Sequence, residues 1–292
     1  MSITIKQLAS SFVGEVSGID ITQALTQAQA AELEAGMDRY AVLIYHDQRF
    51  TDDQQKAFSR NFGALEDTAS ATIVTGRRLD PDMADVSNLG VDHKPLARDD
   101  RRRLFNLGNQ LWHSDSSFKA VPAKFSLLSG RIVVDAGGNT EFADMRAAYD
   151  ALDDRTKTEI EDLVCEHSLI YSRGLLGFTD ITDQERASFR PVRQRLVRVH
   201  PATGRKSLYL SSHIGTIIGW PMPEARALIR DLTEHAVQPR FTYSHRWRQF
   251  DLVMWDNRST MHRVRRFDET EVRDMRRTTV AGDTVTVEQM AA

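Results

Sequence analysis

The stretch Asn109-Gln110-Leu111-Trp112-His113-Ser114-Asp115 marks the point after which short β-rich segments dominate the sequence. These segments span residues 125–128, 132–134, 196–199, 207–210, 241–243, 252–255 and 278–281. Strands this short, with few strand–helix–strand units between them, favour a sandwich or barrel over a doubly wound parallel sheet. We therefore predict a mainly β fold with helical insertions, a jelly roll.

Helical patterns interrupt the strands. Residues 26–40 carry apolar side chains at helical spacing and precede a short buried strand at 41–45. Thr51 and Gln54 have the spacing of a capping box, in which each satisfies a backbone amide at a helix start, and this helix is expected to end near Gly63. Further helices are predicted over 145–152, 154–163 and 223–236. No linker divides the chain, so residues 1–292 are expected to form one domain.

Residues 67–108 alternate polar, proline and basic side chains without a clear period. An irregular stretch of this length inside a compact domain is usually a lid, a binding loop or a disordered segment. We predict an active-site lid within it.

Composition excludes several classes of protein. The 38 basic and 41 acidic residues give a net charge of −3, so the chain lacks the overall positive charge that is typical of nucleic-acid-binding proteins. No apolar run is long enough to cross a bilayer, and the N-terminus lacks the layout of a signal peptide. Cys165 is the single cysteine, so neither an intrachain disulfide nor a cysteine metal cluster can form. We expect a cytoplasmic protein with no membrane partner.

A metal site is the chemistry that the opening stretch predicts. On a strand, residues two apart share a face, so His113 and Asp115 could offer a nitrogen and an oxygen to one ion. His262 is the candidate third ligand. Two histidines and one carboxylate leave open positions on the metal, as in iron(II) oxygenases. Zinc also accepts such ligands, so a metal-dependent hydrolase remains an alternative, as does a binding protein that uses the same pocket.

Several motifs in order resemble the TauD/TfdA family of 2-oxoglutarate-dependent dioxygenases. They are Gly18-Ile19-Asp20, Asp53-Gln54-Gln55, Phe62-Gly63, residues 111–118, Gly137-Gly138-Asn139-Thr140, residues 144–149 and Trp255-Asp256-Asn257-Arg258. The sequence Leu-Trp-His-Ser-Asp-Ser-Ser-Phe at 111–118 is most similar to that of the phenoxyacetate branch of this family. The resemblance covers nearly the whole chain and implies a double-stranded β-helix of the cupin type.

The resemblance also implies a reaction. Fe(II) would be held by His113, Asp115 and His262, and the far carboxylate of 2-oxoglutarate by Arg273 with help from Thr140. Oxygen and 2-oxoglutarate would then be consumed to hydroxylate a small anionic substrate. With an aryloxyalkanoate such as 2,4-dichlorophenoxyacetate, the products are a phenol, glyoxylate, succinate and carbon dioxide. The alternative is the same chemistry on taurine, an alkyl sulfate or another small carboxylate.

Residues that the family uses for the substrate can be carried over by position. They are Arg277, His213, Lys94 and Asn109. His200, in the strand before a predicted hairpin turn, is a further candidate for the pocket. The spacing of Arg273 and Arg277 suits one strand face only if the strand is regular, so a turn or bulge between them is an alternative. Relatives commonly form dimers or larger assemblies, and a homo-oligomer is possible here.

One departure concerns a lysine that the phenoxyacetate branch carries shortly after its Leu-Glu pair. Here Leu65-Glu66 is followed by residues 67–71 with the sequence Asp-Thr-Ala-Ser-Ala, which contains no lysine. Arg77 and Arg78 are the candidates to replace its charge. The loss affects the choice of substrate more than the reaction.

Overall fold

The computed structural model describes residues 2–67 and 77–289. Its strands are β1 (Thr4–Gln7), β2 (Gly14–Ser17), β3 (Val42–Tyr45), β4 (Ala84–Asp85), β5 (Phe125–Ile132), β6 (Thr140–Asp144), β7 (Val164–His167), β8 (Val192–Arg195), β9 (Val197–Val199), β10 (Lys206–Leu208), β11 (Ile214–Ile217), β12 (Thr242–His245), β13 (Leu252–Asp256), β14 (Thr260–Val264) and β15 (Asp274–Val280). Its helices are α1 (Gln27–Tyr40), α2 (Asp52–Arg60), α3 (Arg101–Asn106), α4 (Met145–Asp150), α5 (Asp154–Ile160), α6 (Leu169–Gly174), α7 (Asp183–Ser188) and α8 (Met222–Ala236). Two 3₁₀ turns cover Leu107–Gln110 and Pro239–Phe241. None of these helices is long and apolar enough to cross a membrane.

The strands form one large sheet and three small ones. The large sheet has seven strands in the order β1-β2-β3-β13-β5-β15-β4. The small sheets have the orders β12-β6-β14, β11-β7-β8 and β10-β9. Pairing is antiparallel except between β2 and β3, and this content confirms the prediction of a mainly β fold with helical insertions.

Alternation along β5 and β13 gives the large sheet two apolar faces. Leu127 and Met254 point to one side, where they pack with side chains of α1 and α2. Leu128 and Trp255 point to the other side and share a core with Phe142 of the β12-β6-β14 sheet. The large sheet therefore lies between a helical layer and a second sheet.

The helix starts follow their capping residues. Thr26 and Thr51 each accept a hydrogen bond from the backbone amide three residues later, and the side-chain oxygens of Gln29 and Gln54 accept one from the amide of the capping threonine. The predicted helix 26–40 and the capping box at Thr51 are thus confirmed. The predicted helices 145–152, 154–163 and 223–236 are present with their ends shifted by one to three residues.

Several predicted elements need correction. The predicted strand 132–134 is wrong, because β5 ends at Ile132 and residues 133–134 have no strand pairing. Residues 67–108 are less irregular than the sequence indicated, since they contain β4 and α3, while 68–76 lie outside the described residues. Strands β6 and β14, which build the second sheet, were not predicted from the sequence.

Gly137 lies in a tight turn and has a left-handed backbone conformation, which favours glycine. The carbonyl of the next residue, Gly138, accepts a hydrogen bond from Arg273. The φ of Gly137 is 76°, and a Cβ there would lie 2.3 Å from the backbone oxygen of Arg266. We expect Gly137→Ala to lower the free energy of unfolding by about 3 kcal/mol, because both the left-handed backbone and the clash are penalised. Urea denaturation measures this loss.

Gly204 provides the matched control. Its φ is 67°, but a Cβ there meets nothing within 4 Å. Gly204→Ala should therefore lose only about 1 kcal/mol, the backbone contribution alone. Equal losses for the two variants would contradict a steric role for the turn at Gly137.

Candidate metal centre and adjoining cavities

Two histidines are placed side by side by their own backbones. The amide of His113 donates to the carbonyl of His262 at 3.0 Å, and the amide of His262 donates back at 2.8 Å. This isolated antiparallel bridge fixes His113 against the middle of β14. The imidazole ring centroids lie 4.2 Å apart as a result.

Asp115 reaches the histidines differently from the prediction. A regular strand was expected to present His113 and Asp115 on one face, and this is wrong. The chain pairs only at His113 and then turns, with Ser116 at a φ of 55°. The turn, rather than strand alternation, brings the Asp115 carboxylate to the imidazoles.

The three side chains form a compact and buried cluster. Asp115 Oδ1 lies 3.8 Å from His113 Nε2, and Asp115 Oδ2 lies 3.6 Å from His262 Nε2. One candidate ligand atom from each residue lies within 4.8 Å of the others, and every residue in the group is buried. Among the described residues, this is the one group of histidine, cysteine and acidic side chains with spacing suitable for a metal ion.

A second layer of polar side chains fixes the carboxylate. Ser126 on β5 donates its hydroxyl to Asp115 Oδ2 at 2.7 Å, and Asn257 Nδ2 donates to that hydroxyl oxygen at 2.9 Å. Asn257 Oδ1 accepts the Asp115 amide at 3.2 Å and Trp255 Nε1 at 3.0 Å. Outer partners of this kind hold metal ligands in orientation. Neither Ser126 nor Asn257 was assigned from the sequence, although Asn257 stands inside a quoted motif.

Protonation leaves lone pairs where a metal would need them. His113 Nδ1 lies 2.7 Å from the carbonyl oxygen of Leu111. A carbonyl can only accept, so Nδ1 carries the proton and Nε2 keeps its lone pair. Burial lowers the pKa of His113 and lowers that of His262 well below its ordinary value, so both rings are neutral near pH 7.

Asp115 remains ionised despite its burial. Burial alone would raise the pKa of its carboxyl, but the charge of Arg277, together with the Ser126 hydrogen bond, holds the pKa well below its usual range. Arg277 Nη1 donates directly to Asp115 Oδ1. Two neutral nitrogens and one carboxylate are the ligand set expected of a divalent transition metal, and the buried residues present fit such an ion.

The larger adjoining cavity has a volume of about 220 Å³. His113, Asn109, His213 and Arg277 line it, so the structure brings these predicted site residues together. Its apolar wall is formed by Leu79, Met83, Leu89, Leu96, Phe105 and Phe118. A cavity that combines an apolar wall with convergent polar groups is typical of small-molecule sites.

Arg273 lines a smaller neighbouring cavity of about 40 Å³. Its guanidinium is buried and contacts the carbonyl oxygens of Gly138 at 3.3 Å and Val86 at 3.5 Å. Burial lowers the pKa of Arg273 to about 10, so it stays a cation near pH 7. Thr140 pairs with Val264, which lines this cavity. The hydroxyl of Thr140 accepts a hydrogen bond from Trp247 Nε1 at 3.0 Å.

The bulge considered between Arg273 and Arg277 is present. The register of β15 against β5 shifts between Asp274 and Met275. The shift helps to explain why Arg273 lines the smaller cavity and Arg277 the larger one, although the two arginines are four residues apart.

Two predicted substrate residues are not brought to the cavity. Lys94 is exposed on a loop and does not line it. His200 is buried, but its Nε2 bonds to Asp256 at 3.0 Å and its Nδ1 accepts from Thr203 at 3.3 Å, so both nitrogens are engaged. Assigning these two to the pocket was wrong, because one side chain faces solvent and the other completes a buried hydrogen-bond network.

The candidates to replace the missing lysine also have other contacts. Arg78 lines the larger cavity, but it bonds both Asp85 and Asp274, which match its charge. Arg77 lines the same cavity from an exposed position, with contacts to the carbonyls of Leu79 and Asp80. Ala71, where the lysine would be expected, lies outside the described residues.

Arg173, which the sequence analysis did not single out, also lines the larger cavity.

Comparison with known proteins gives a consistent result. The family described as "Taurine catabolism dioxygenase TauD, TfdA family" matches residues 4–279. The alpha-ketoglutarate-dependent 2,4-dichlorophenoxyacetate dioxygenase of Burkholderia sp. (strain RASC) is 44% identical over 283 residues, covering 97% of this chain and 95% of that protein. The (S)-phenoxypropionate/alpha-ketoglutarate-dioxygenase of Sphingobium herbicidovorans is 38% identical, with 96% and 95% covered.

A solved structure agrees over almost the whole chain. The crystal structure of AAD-2 in complex with Mn(II) and N-oxalylglycine has a TM-score of 0.96 and 63% sequence identity to this chain. The match covers 98% of this chain and 100% of that one. The fold described above is therefore shared with related proteins.

Proposed function

Because the chain belongs to the TauD/TfdA family and is a 2-oxoglutarate-dependent dioxygenase, we propose that it is an iron(II) enzyme that hydroxylates an aryloxyalkanoate. The observation that carries the proposal is the buried group of His113, Asp115 and His262 at the end of a largely apolar cavity. Small-molecule substrates and oxygen follow from the dioxygenase class, whereas the metal and the substrate are proposals.

Iron(II) would be held by His113 Nε2, His262 Nε2 and the Asp115 carboxylate. Two histidines and a carboxylate are the ligand set of non-haem iron(II) oxygenases. When bound, the metal supplies the oxidising chemistry with oxygen and 2-oxoglutarate. The protein residues keep the imidazoles neutral, orient the carboxylate through Ser126 and Asn257, and exclude water from the cluster.

2-Oxoglutarate would be oriented by Arg273. The guanidinium is buried and has no salt bridge to a carboxylate within residues 2–67 and 77–289. A planar guanidinium matches a carboxylate through two parallel hydrogen bonds, so the far carboxylate of the cosubstrate is the ligand that fits. Thr140 is proposed to assist, as the resemblance implies.

The substrate would lie in the larger cavity. Its apolar wall suits an aromatic ring, and Arg277, Asn109 and His213 supply the polar end. For an aryloxyacetate, hydroxylation at the carbon beside the ether oxygen gives a hemiacetal, which collapses to a phenol and glyoxylate. In the same turnover 2-oxoglutarate is oxidised to succinate and carbon dioxide, with one atom of O2 entering succinate and the other entering the new hydroxyl group.

Two architectural proposals accompany this function. The large sheet and the β12-β6-β14 sheet are proposed to be the two halves of a double-stranded β-helix, in one domain spanning residues 1–292. The segment 67–108 is proposed to be a lid. Its described part supports this proposal, because Leu79, Leu89 and Leu96 line the larger cavity. Closure of such a segment would protect the reaction from water.

A substrate panel tests the proposed reaction. Protein supplied with Fe(II), 2-oxoglutarate and ascorbate should release succinate with phenoxyacetates or phenoxypropionates at a kcat/KM at least about tenfold above that for taurine, because a taurine chain leaves the apolar wall uncovered. Liquid chromatography of succinate and of the phenol measures the turnover. Taurine or an alkyl sulfate as the sole productive substrate would contradict the aryloxyalkanoate proposal but not the dioxygenase class.

A spectroscopic control separates iron from zinc chemistry. Anaerobic addition of Fe(II) and 2-oxoglutarate should give a visible charge-transfer band, which zinc cannot produce. If zinc-loaded protein hydrolysed the panel and iron-loaded protein consumed no oxygen, the iron proposal would be lost.

A further inference from the structure

Buried arginines in this protein fall into two kinds. The four that are buried among the described residues are Arg146, Arg173, Arg258 and Arg273. Arg146 bonds Asp144 at 2.9 Å, and Arg258 bonds Asp256 at 2.8 Å, so each has a carboxylate two residues earlier in the chain. Arg173 and Arg273 have no such partner in the part of the chain that the structure describes. A buried charge without a counter-charge is unfavourable for folding, so a functional reason is needed for both.

Arg273 has such a reason in the proposed binding of 2-oxoglutarate, whereas Arg173 has none in the function described so far. Burial lowers the pKa of Arg173 to about 10, with no acidic group opposing the effect, so the side chain is still a cation near pH 7. The undescribed residues 68–76 contain neither Asp nor Glu. Nothing in that segment could supply a carboxylate.

The guanidinium of Arg173 is fixed in one place. It lies over the ring of Phe105, with Cζ 4.4 Å from the ring centroid. Gly108 is also adjacent to it, since a Cβ on that glycine would lie 2.2 Å from Nη1 and 2.4 Å from Cζ. An aromatic face and a bare Cα thus hold the cation, whose Nε is buried without a hydrogen-bond partner among the described residues.

The same cation faces the proposed substrate cavity. Arg173 lines the larger cavity together with His113, so an anion held there would lie in the compartment next to the metal cluster. Three other arginines on this wall have acidic partners, and one of them is Arg78, which bonds Asp85 and Asp274. Arg277 donates to Asp115, and Arg102 bonds Asp100 at 3.2 Å.

His213 offers a lone pair rather than a donor to such an anion. The hydroxyl of Ser172 donates to the Leu169 carbonyl at 2.7 Å, so its oxygen can only accept from His213 Nδ1 at 2.8 Å and from Arg173 Nη1 at 3.3 Å. His213 Nδ1 therefore carries the ring proton, and Nε2 of the neutral ring cannot donate.

We infer that Arg173 binds the anionic head group of the substrate, a carboxylate in an aryloxyalkanoate. The inference rests on the proposed function and supplies the cation that the absent lysine near Ala71 would have provided. Phe105 and Gly108 hold the guanidinium before the substrate arrives, and a fixed fork favours a planar carboxylate.

Calorimetric titration of 2,4-dichlorophenoxyacetate tests this role. The protein carries Mn(II) and N-oxalylglycine, so that no turnover occurs. Arg173→Met should weaken binding about 30- to 300-fold, as expected when one partner of a buried charge pair is removed, and Arg173→Lys should recover part of the loss. Affinity for N-oxalylglycine should not change. Arg230→Gln, on an exposed arginine of α8 paired with its neighbour Asp231, is the control.

Two further readouts separate recognition from structure. The amide of the same substrate should bind wild type and Arg173→Met with similar affinity, because the charge pair is absent in both cases. Arg173→Met should also raise Tm, since an unmatched buried cation is removed, whereas a purely structural arginine would lower it on replacement. Gly108→Ala should weaken binding of the acid with the charge retained, by displacing the guanidinium.

The outcomes distinguish this inference from the proposed function. Unchanged affinity for the acid in Arg173→Met, or equal losses for the acid and the amide, would overturn the role of Arg173 while leaving the reaction intact. If wild type bound and converted taurine alone, the aryloxyalkanoate proposal would fail. The same titration with taurine would then decide about Arg173, with a comparable loss supporting it and equal affinity overturning it.

Discussion

His262→Ala should lose at least about 100-fold in Mn(II) affinity, with succinate release near background, because even an altered outer partner of a metal ligand costs 10- to 100-fold. The variant removes one of the two nitrogens that lie within reach of Asp115 and leaves the backbone bridge to His113 in place. Titration of Mn(II), followed by electron paramagnetic resonance, measures the affinity without depending on turnover.

His93→Ala is the control for that experiment. His93 is exposed on a loop, and its replacement should leave Mn(II) affinity unchanged. Circular dichroism shows whether each variant is folded. A folded His262→Ala protein that binds Mn(II) as wild type does would rule out His262 as a ligand, and with it the proposed centre.

Arg273→Gln should raise KM for 2-oxoglutarate about 100-fold, since truncating one side of a buried charge pair removes several kcal/mol of binding. The rate at saturating cosubstrate should fall much less, because Arg273 lines the smaller cavity and is separate from the metal ligands. Initial rates of succinate release across a range of 2-oxoglutarate concentrations give both parameters.

Arg276→Gln, three residues further along the chain on β15, is the matched control. Arg276 bonds Asp52 at 2.6 Å and Asp274 at 2.8 Å and does not line either cavity. Its loss should reduce stability and leave KM for 2-oxoglutarate within about threefold of wild type, as expected for a partly exposed ion pair. Equal increases in KM for the two variants would show that the effect of Arg273 is not specific.

The sequence was most informative where chemistry is local. The capping threonines Thr26 and Thr51 have their partners three residues away, and both helices begin where the pattern predicts. The metal cluster depends on contacts between distant segments, and it could be assigned because the surrounding motifs resemble a family. The path of the chain at Asp115 could not be predicted, because the turn at Ser116 is stabilised by tertiary contacts of Asn257.

The remaining site residues show the limit of position-by-position transfer. Lys94 was carried over by alignment and His200 was a further candidate, and neither lines the cavity. Arg173 was missed because it stands in α6, a six-residue helix with no catalytic motif. The proposed role of Arg173 rests on its tertiary contacts with the ring of Phe105 and the Cα of Gly108, and these contacts cannot be read from the sequence.

The bulge in β15 places two cavity-lining arginines on one short segment of the chain. Arg273 and Arg277 stand on either side of the register shift at Asp274 and Met275, and they line separate cavities. A one-residue insertion or deletion there would rotate the side chains that follow to the opposite sheet face. Loop grafting around these cavities should therefore keep residues 273–277 at constant length, since a change there would move Arg273 or Arg277 away from the cavity that it lines.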